Sequence, residues 1–443
     1  MRKISKISLV AAVAVAGFST ANAQPLEQAI KDVEVSGSVV YRYDNAENNR
    51  LNALGQQVGN TTDRNRYKVA MNLSSKVNDY VKFNSRFIAG GADSGWATTG
   101  AKKNGNLNSG NGDGNVDVTL SNAYFGLTAI PNTVVNIGKQ GLTTPYTVAV
   151  DANGNEQNGT GILALTTIGA VTAGAGYFNN TNVDKLTDIN SARGVTSGVN
   201  SNTGAATGLG LDAGRDIYVA TVQGDLDFVK LEAWYLAHQN TFDSYTLAAT
   251  SKIDLAQDAK IGLEARYVAL NLTKDAIAPI NNHNGNISSV SVNDGRDNGM
   301  FRLAVDGKVN IVNARVAYTK TDKEGGLTAL DQDAKNTSLG WNITSNGYAD
   351  ADYWQAALGA DILDNLNFTL NYGNLSSDEQ ARNAKYVGLS NTKAEELYGQ
   401  LTYKMSKNLN TYLRYGNYEE KVKSSGTKVV DQDMGRLQVA YTF

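Results

Sequence analysis

Cysteine is absent from the 443 residues, and only two histidines and four prolines occur. Without cysteine the chain can form no disulfide framework, no thiolate zinc site and no thiol nucleophile. Charge is scarce too: Asp, Glu, Lys and Arg make up 19% of the residues, below the ~25% usual for soluble domains. The formal charge of −3 speaks against a generally basic nucleic-acid binder. Beyond Gln24 there is no uninterrupted apolar run of ~18 residues, so helical membrane spans are not expected.

What is present begins with a leader. Arg2, Lys3 and Lys6 precede an apolar stretch from Ile7 to Phe18, and Ala21-Asn22-Ala23 follows as a small-x-small cleavage site. The pattern reads as a secretory signal over residues 1–23, because the apolar stretch is shorter than the ~20 residues that a span requires. No cysteine follows the site, which excludes a lipoprotein.

From Gln24 onward a two-residue alternation repeats, separated by turn chemistry. Val39, Tyr41 and Tyr43 alternate with Ser38 and Arg42; Tyr67, Val69 and Met71 with Arg66, Lys68 and Asn72; Leu437, Val439 and Tyr441 with Arg436, Gln438 and Thr442. This is strand periodicity with one apolar and one polar face. Short connections such as 76–79, 306–308 and 406–408 alternate with long Asn-, Gly- and Ser-rich ones such as 46–63, 89–115, 179–214, 272–298 and 322–349. Short turns on one side and long loops on the other describe an up-and-down meander in a membrane. The expected fold is all-β, a transmembrane antiparallel barrel of about 18 strands, forming a single domain over residues 24–443. Tyrosines near strand ends on the apolar face, such as Tyr41, Tyr267, Tyr372 and Tyr415, fit aromatic girdles. In that setting the apolar face meets lipid and the charged face lines a wet lumen, whereas a soluble secreted β protein would reverse the two.

At Pro25 to Gly37 the chain reads PLEQAIKDVEVSG, followed by VVYRYD at 39–44; NIGKQ stands at 136–140 and VAYTF closes the chain. These runs resemble the major outer-membrane porins of Campylobacter and its relatives. The resemblance implies an 18-stranded homotrimeric general-diffusion channel in a Gram-negative outer membrane. It would pass ions and small hydrophilic solutes, favour cations, require no cofactor and fold its third loop into the lumen. It also implies a calcium ion near the constriction, for which Asp151 is the candidate ligand. The segment DANGNEQNG at 151–159 is not an EF-hand loop, since Glu156 stands where that motif needs Gly and Ile162 where it needs Glu.

The loop after NIGKQ carries its own apolar residues, Leu142, Tyr146, Val148 and Val150, so packing inside the barrel is expected, with Asp151 and Glu156 at the constriction. Lumen-side parity puts Arg42, Arg66, Lys68, Lys82 and Arg86 on one wall with Arg414 and Arg436, because the first and last strands adjoin when a barrel closes. A basic wall facing acidic loop residues would create a transverse field. Catalysis has little support: His238 and His283 are the only imidazoles, and no H-E-x-x-H, G-x-S-x-G or phosphate loop occurs. The competing reading is a surface-exposed adhesin or interaction protein that uses the barrel as a scaffold for its loops.

Overall fold

The computed structural model describes residues 32–49, 62–90, 96, 118–152, 154–183, 213–274, 296–377 and 392–443. The leader at 1–23, His283, Asn153 and the oxygen-rich NGDGNVD segment at 111–117 lie outside them. The described strands are β1 Val33–Asn48, β2 Thr62–Asn78, β3 Val81–Ala89, β4 Val118–Leu127, β5 Thr133–Gly141 and β6 Asn158–Ile168. They continue with β7 Val171–Thr181, β8 Ile217–Asp225, β9 Val229–His238, β10 Phe242–Ala256, β11 Ala259–Leu272 and β12 Asp297–Val309. The last six are β13 Val312–Thr321, β14 Ala351–Leu363, β15 Leu366–Ser377, β16 Thr392–Lys404, β17 Leu409–Val422 and β18 Lys428–Thr442.

Each strand pairs antiparallel with its neighbours in the chain, and β1 also pairs with β18, so the sheet closes. The seam runs from Ser38↔Thr442 to Asn48↔Gln432, and the chain end is tied by Gly37 N–H to the Phe443 carbonyl at 2.9 Å. Closure leaves no unpaired strand edge in hydrocarbon, which is the physical condition for a spanning sheet. Alternation decides the two faces: Tyr41, Phe301, Leu358, Leu413 and Tyr415 project outward and exposed. So large an exposed apolar surface would be an aggregation hazard in water and suits lipid.

Loop lengths do not alternate without exception. The β9–β10 connection, on the side of the long loops, is only residues 239–241, and β17–β18 is joined by 423–427. In the first, Asn240 takes a positive φ of 54°, a conformation Asn tolerates in tight turns.

The lumen is not polar throughout. On β6–β12 inward positions include Leu163, Leu165, Phe178, Val219, Trp234, Leu236, Val268, Leu270 and Met300, and these form one buried cluster with Leu142, Tyr146, Leu327 and Leu330. A hydrophobic core therefore sits inside the barrel against one half of its wall, and it holds two loops there. Each such buried side chain contributes roughly 1.5–3 kcal/mol relative to exposure.

Candidate functional site: two loops in the lumen

The first inward loop, residues 142–157, joins β5 to β6 and turns back on itself. Leu142 N–H donates to the Gln157 carbonyl at 2.8 Å, and Asp151 N–H to the Asn155 carbonyl at 3.0 Å. The Asp151 carboxylate accepts from Asn155 N–H at 2.8 Å and Asn155 Nδ2 at 2.6 Å, so it builds the tip turn. Gly154 adopts φ 89°, and a Cβ there would stand 2.9 Å from Trp96 Nε1; glycine is required both by conformation and by room.

Behind the tip, Glu156 is 1% exposed and pairs with Lys68 Nζ at 2.7 Å and Arg86 Nη2 at 2.8 Å, with Ser121 Oγ as a third donor. Lys68 also donates to the Gly154 carbonyl at 3.0 Å. Glu156 thus meets the basic wall in direct contact with β2 and β3. A buried carboxylate stays charged only beside cations, and direct pairing achieves that where a water-filled gap would not. Burial opposes its ionisation, but hydrogen bonds from Arg86 and the Lys68 charge outweigh that and hold its pKa below the ordinary Glu value.

The remaining predicted cations also occupy inward positions. Arg42 Nη2 donates to the Ala152 carbonyl at 2.8 Å, and Arg42 Nε to Gln438 Oε1 at 2.7 Å. Arg66 and Arg436 share Asp44. Arg414 donates twice to Gln400 Oε1. In register, Gln400, Arg414, Arg436 and Asp44 are successive cross-strand partners, and Arg42 pairs with Arg66, so one charged row crosses β16, β17, β18, β1 and β2. Lys82 stands apart, near the short β2–β3 turn and 3.4 Å from Glu34. Two tryptophans that sequence reasoning missed stack on this row. Trp96 lies 4.8 Å from the Arg42 guanidinium and 4.9 Å from that of Arg66, and Trp341 lies 5.0 Å from that of Arg414 and 5.8 Å from that of Arg436.

Trp341 belongs to a second inward loop, residues 322–350 between β13 and β14. Buried Glu396 on β16 anchors it by accepting from the backbone N–H groups of Trp341 (2.9 Å), Asn342 (2.8 Å) and Ile343 (3.3 Å). On the opposite flank Arg302 binds Glu264 at 2.6 Å and the Lys335 carbonyl at 2.8 Å. A cavity of about 410 Å³, whose lining includes Arg315, Lys335, Gln355, Asn371 and Tyr398, adjoins the loop.

The two loops meet. Leu330 N–H donates to the Tyr146 carbonyl at 2.8 Å, Asn336 N–H to the Pro145 carbonyl at 2.9 Å, Gln157 Nε2 to Asp331 at 2.9 Å, and Ala152 N–H to Asp333 at 2.7 Å. Burial, the hydrogen bond with Asp333 and the charge of Asp151 push the Asp331 carboxyl up to about 10. Among the described residues no group of three or more His, Asp and Glu side chains is arranged to hold a metal ion. His238 is buried at the end of β9, with Nδ1 2.7 Å from Thr241 Oγ1.

This fold is shared with solved structures. OpdL of Pseudomonas aeruginosa is 13% identical and superposes with a TM-score of 0.67, over 93% of this chain and 99% of that one. OccAB3 of Acinetobacter baumannii is 14% identical with a TM-score of 0.66, over 93% and 99%. OccK2 (OpdF) of P. aeruginosa, solved in complex with glucuronate, is 14% identical with a TM-score of 0.65, over 93% and 98%. At that identity the likeness concerns fold. No curated protein matches the sequence. The family described as the Campylobacter major outer membrane protein matches residues 1–443. Closed barrel, lipid-facing exterior and whole-length match agree: the chain belongs to the Campylobacter major outer membrane protein family, porin channels of the Gram-negative outer membrane.

Proposed function

We propose that the chain is a passive, general-diffusion channel whose constriction is formed jointly by the two inward loops and the charged row on β16–β18, β1 and β2. The observation that carries this is the meeting of the loops in the lumen at the level of the arginines. Glu156 fixes the first loop against Lys68 and Arg86 and leaves little net field of its own. Arg42, Arg66, Arg414 and Arg436 then act on passing solutes, with Asp44 and the loop carboxylates opposing them.

Cation preference and a homotrimer are supported by family membership and belong to this proposal, as does removal of residues 1–23. Calcium at Asp151 also belongs to this proposal, on the strength of the family resemblance. The surface-interaction reading rests on long loops that lie largely outside the described residues, and no contact favours it.

The test is single-channel recording in planar bilayers under a salt gradient, with and without calcium. Conductance appearing in groups of three equal steps, with a cation-selective reversal potential, is the expected result. Folded protein that inserts and does not conduct would overturn the channel reading in favour of surface interaction.

A further inference from the structure

The charged row on β16–β18, β1 and β2 is short of acid. Arg42, Arg66, Arg414 and Arg436 stand on it with one carboxylate, Asp44, which Arg66 and Arg436 share. Arg42 and Arg414 hold only neutral acceptors. Gln438 Oε1 takes both Arg42 Nε and the Tyr412 hydroxyl, and Gln400 Oε1 takes Arg414 twice. The acids nearby are engaged elsewhere: Asp151 in its own turn, Glu156 with Lys68 and Arg86, and Glu396 with three backbone N–H groups. Even if Asp333, which accepts from Ala152 N–H, is counted with Asp44, at least two positive charges stay unmatched.

The geometry concentrates that excess. Arg414 stands directly opposite Arg436 across the sheet, and Arg42 opposite Arg66; like charges so placed destabilise a sheet. Arg42 is 4% exposed, yet its Nη1 and the Nε of Arg66 are buried without an acceptor. Trp96 covers the faces of Arg42 and Arg66, and Trp341 those of Arg414 and Arg436. A ring on the face of a guanidinium holds its plane and leaves the in-plane N–H edge to be matched by oxygen. Arg66, Arg414 and Arg436 remain partly open to the lumen.

We propose that this row binds a small divalent oxyanion, an inference that rests on its place in the constriction. Oxygens in pairs match the guanidinium forks bidentately, and two negative charges match the excess. Chloride offers neither. Once occupied, the row no longer repels cations, which reconciles four lumen arginines with a cation preference.

The experiment records full-length protein in planar bilayers under a potassium chloride gradient, with inorganic phosphate, succinate or acetate added to both sides at equal ionic strength. Phosphate or succinate is expected to shift the reversal potential in the cation-selective direction and to saturate, and acetate to do neither. Whichever dianion acts at the lower concentration identifies the source, phosphate or dicarboxylate. Arg414→Lys keeps the charge and loses the fork, so it should raise the half-saturating concentration about tenfold, and Arg42→Gln should do the same. Acetate acting like the dianions would overturn the divalent assignment. A shift that does not saturate, or one left native by both variants, would overturn the site. Conductance in potassium chloride alone reads the channel separately, so failure of the site and failure of the channel reading are distinguishable.

Discussion

At Glu156 a single carboxylate decides whether the first inward loop stays in place. Replacing it with Gln leaves Lys68 and Arg86 buried without a counter-charge, and breaking a buried pair costs about 3–5 kcal/mol. The tip carrying Asp151 and Ala152 should then detach, and Glu156→Gln is expected to show a higher and noisier single-channel conductance; a native trace would refute the anchoring role. In the proposed channel Arg414 and Arg436 act on the solute, so Arg414→Gln and Arg436→Gln should move the reversal potential in the cation-selective direction, because each removes a positive charge from the lumen. An unmoved potential would show that these charges are silent in selectivity. Asp331 supplies a pH test. Its folded pKa is raised to about 10, so the stabilisation from its protonated form is complete below the ordinary Asp value and is lost as pH rises through the folded one. Current noise should therefore grow on going from about pH 7 to about pH 10 in the native channel and stay flat in Asp331→Asn, which carries no titrating proton. The seven cations were legible in the sequence because a period of two assigns each to a face without reference to anything distant. That Glu156 touches two of them was not, since contact across 70 and 88 positions depends on how far a loop reaches inward.

Strand positions were the most legible elements: the alternating runs at 38–43, 66–72 and 436–442 fall within β1, β2 and β18. The second inward loop was missed although its sequence carried the signal used for the first. Leu327, Leu330, Ile343 and Tyr348 are buried there, but they are diluted among Asn, Ser, Thr and Asp, a composition that ordinarily marks solvent-exposed loops. Buried Thr328, Thr337, Ser338 and Asn346 are tolerated because each is hydrogen-bonded within the loop or to the wall. The anchor was equally hidden: Glu396 reads as one more lumen charge, and its role appears only when three consecutive backbone N–H groups are found on it. Glu396→Ala leaves those three donors unpaired, at about 1–3 kcal/mol each. A Cβ on Gly340 would collide with Glu396 Oε1, so Gly340→Ala should displace the same tip. Both variants are expected to raise conductance while leaving the thermal unfolding midpoint of the barrel in detergent unchanged, since neither touches strand pairing. A lowered midpoint would mean that the loop supports the barrel as a whole.

On the scale of the whole barrel, the interior core changes what each loop can do alone. Leu142 and Tyr146 from one loop and Leu327 and Leu330 from the other share a cluster with inward residues of β6–β12, and the loops exchange hydrogen bonds from Leu330 to Tyr146 and from Gln157 to Asp331. Two segments about 180 positions apart thus form one packed body, tied at its outer corners by Glu156 to β2–β3 and by Glu396 to β16. Groups that share a packed body do not behave independently under mutation. If the loops move as one, either release should open the constriction most of the way, and Glu156→Gln/Glu396→Ala should conduct little more than the larger of the two single variants. If they are separate gates, the two increments should add. A double-mutant cycle on single-channel conductance separates these outcomes, and the hydrogen bonds across the loop contact favour the first. The same cycle repeated with Asp331→Ala, which removes one of the two acceptors of Gln157 Nε2, should recover part of the additivity, because the two corners would then be joined by less than the full set of contacts.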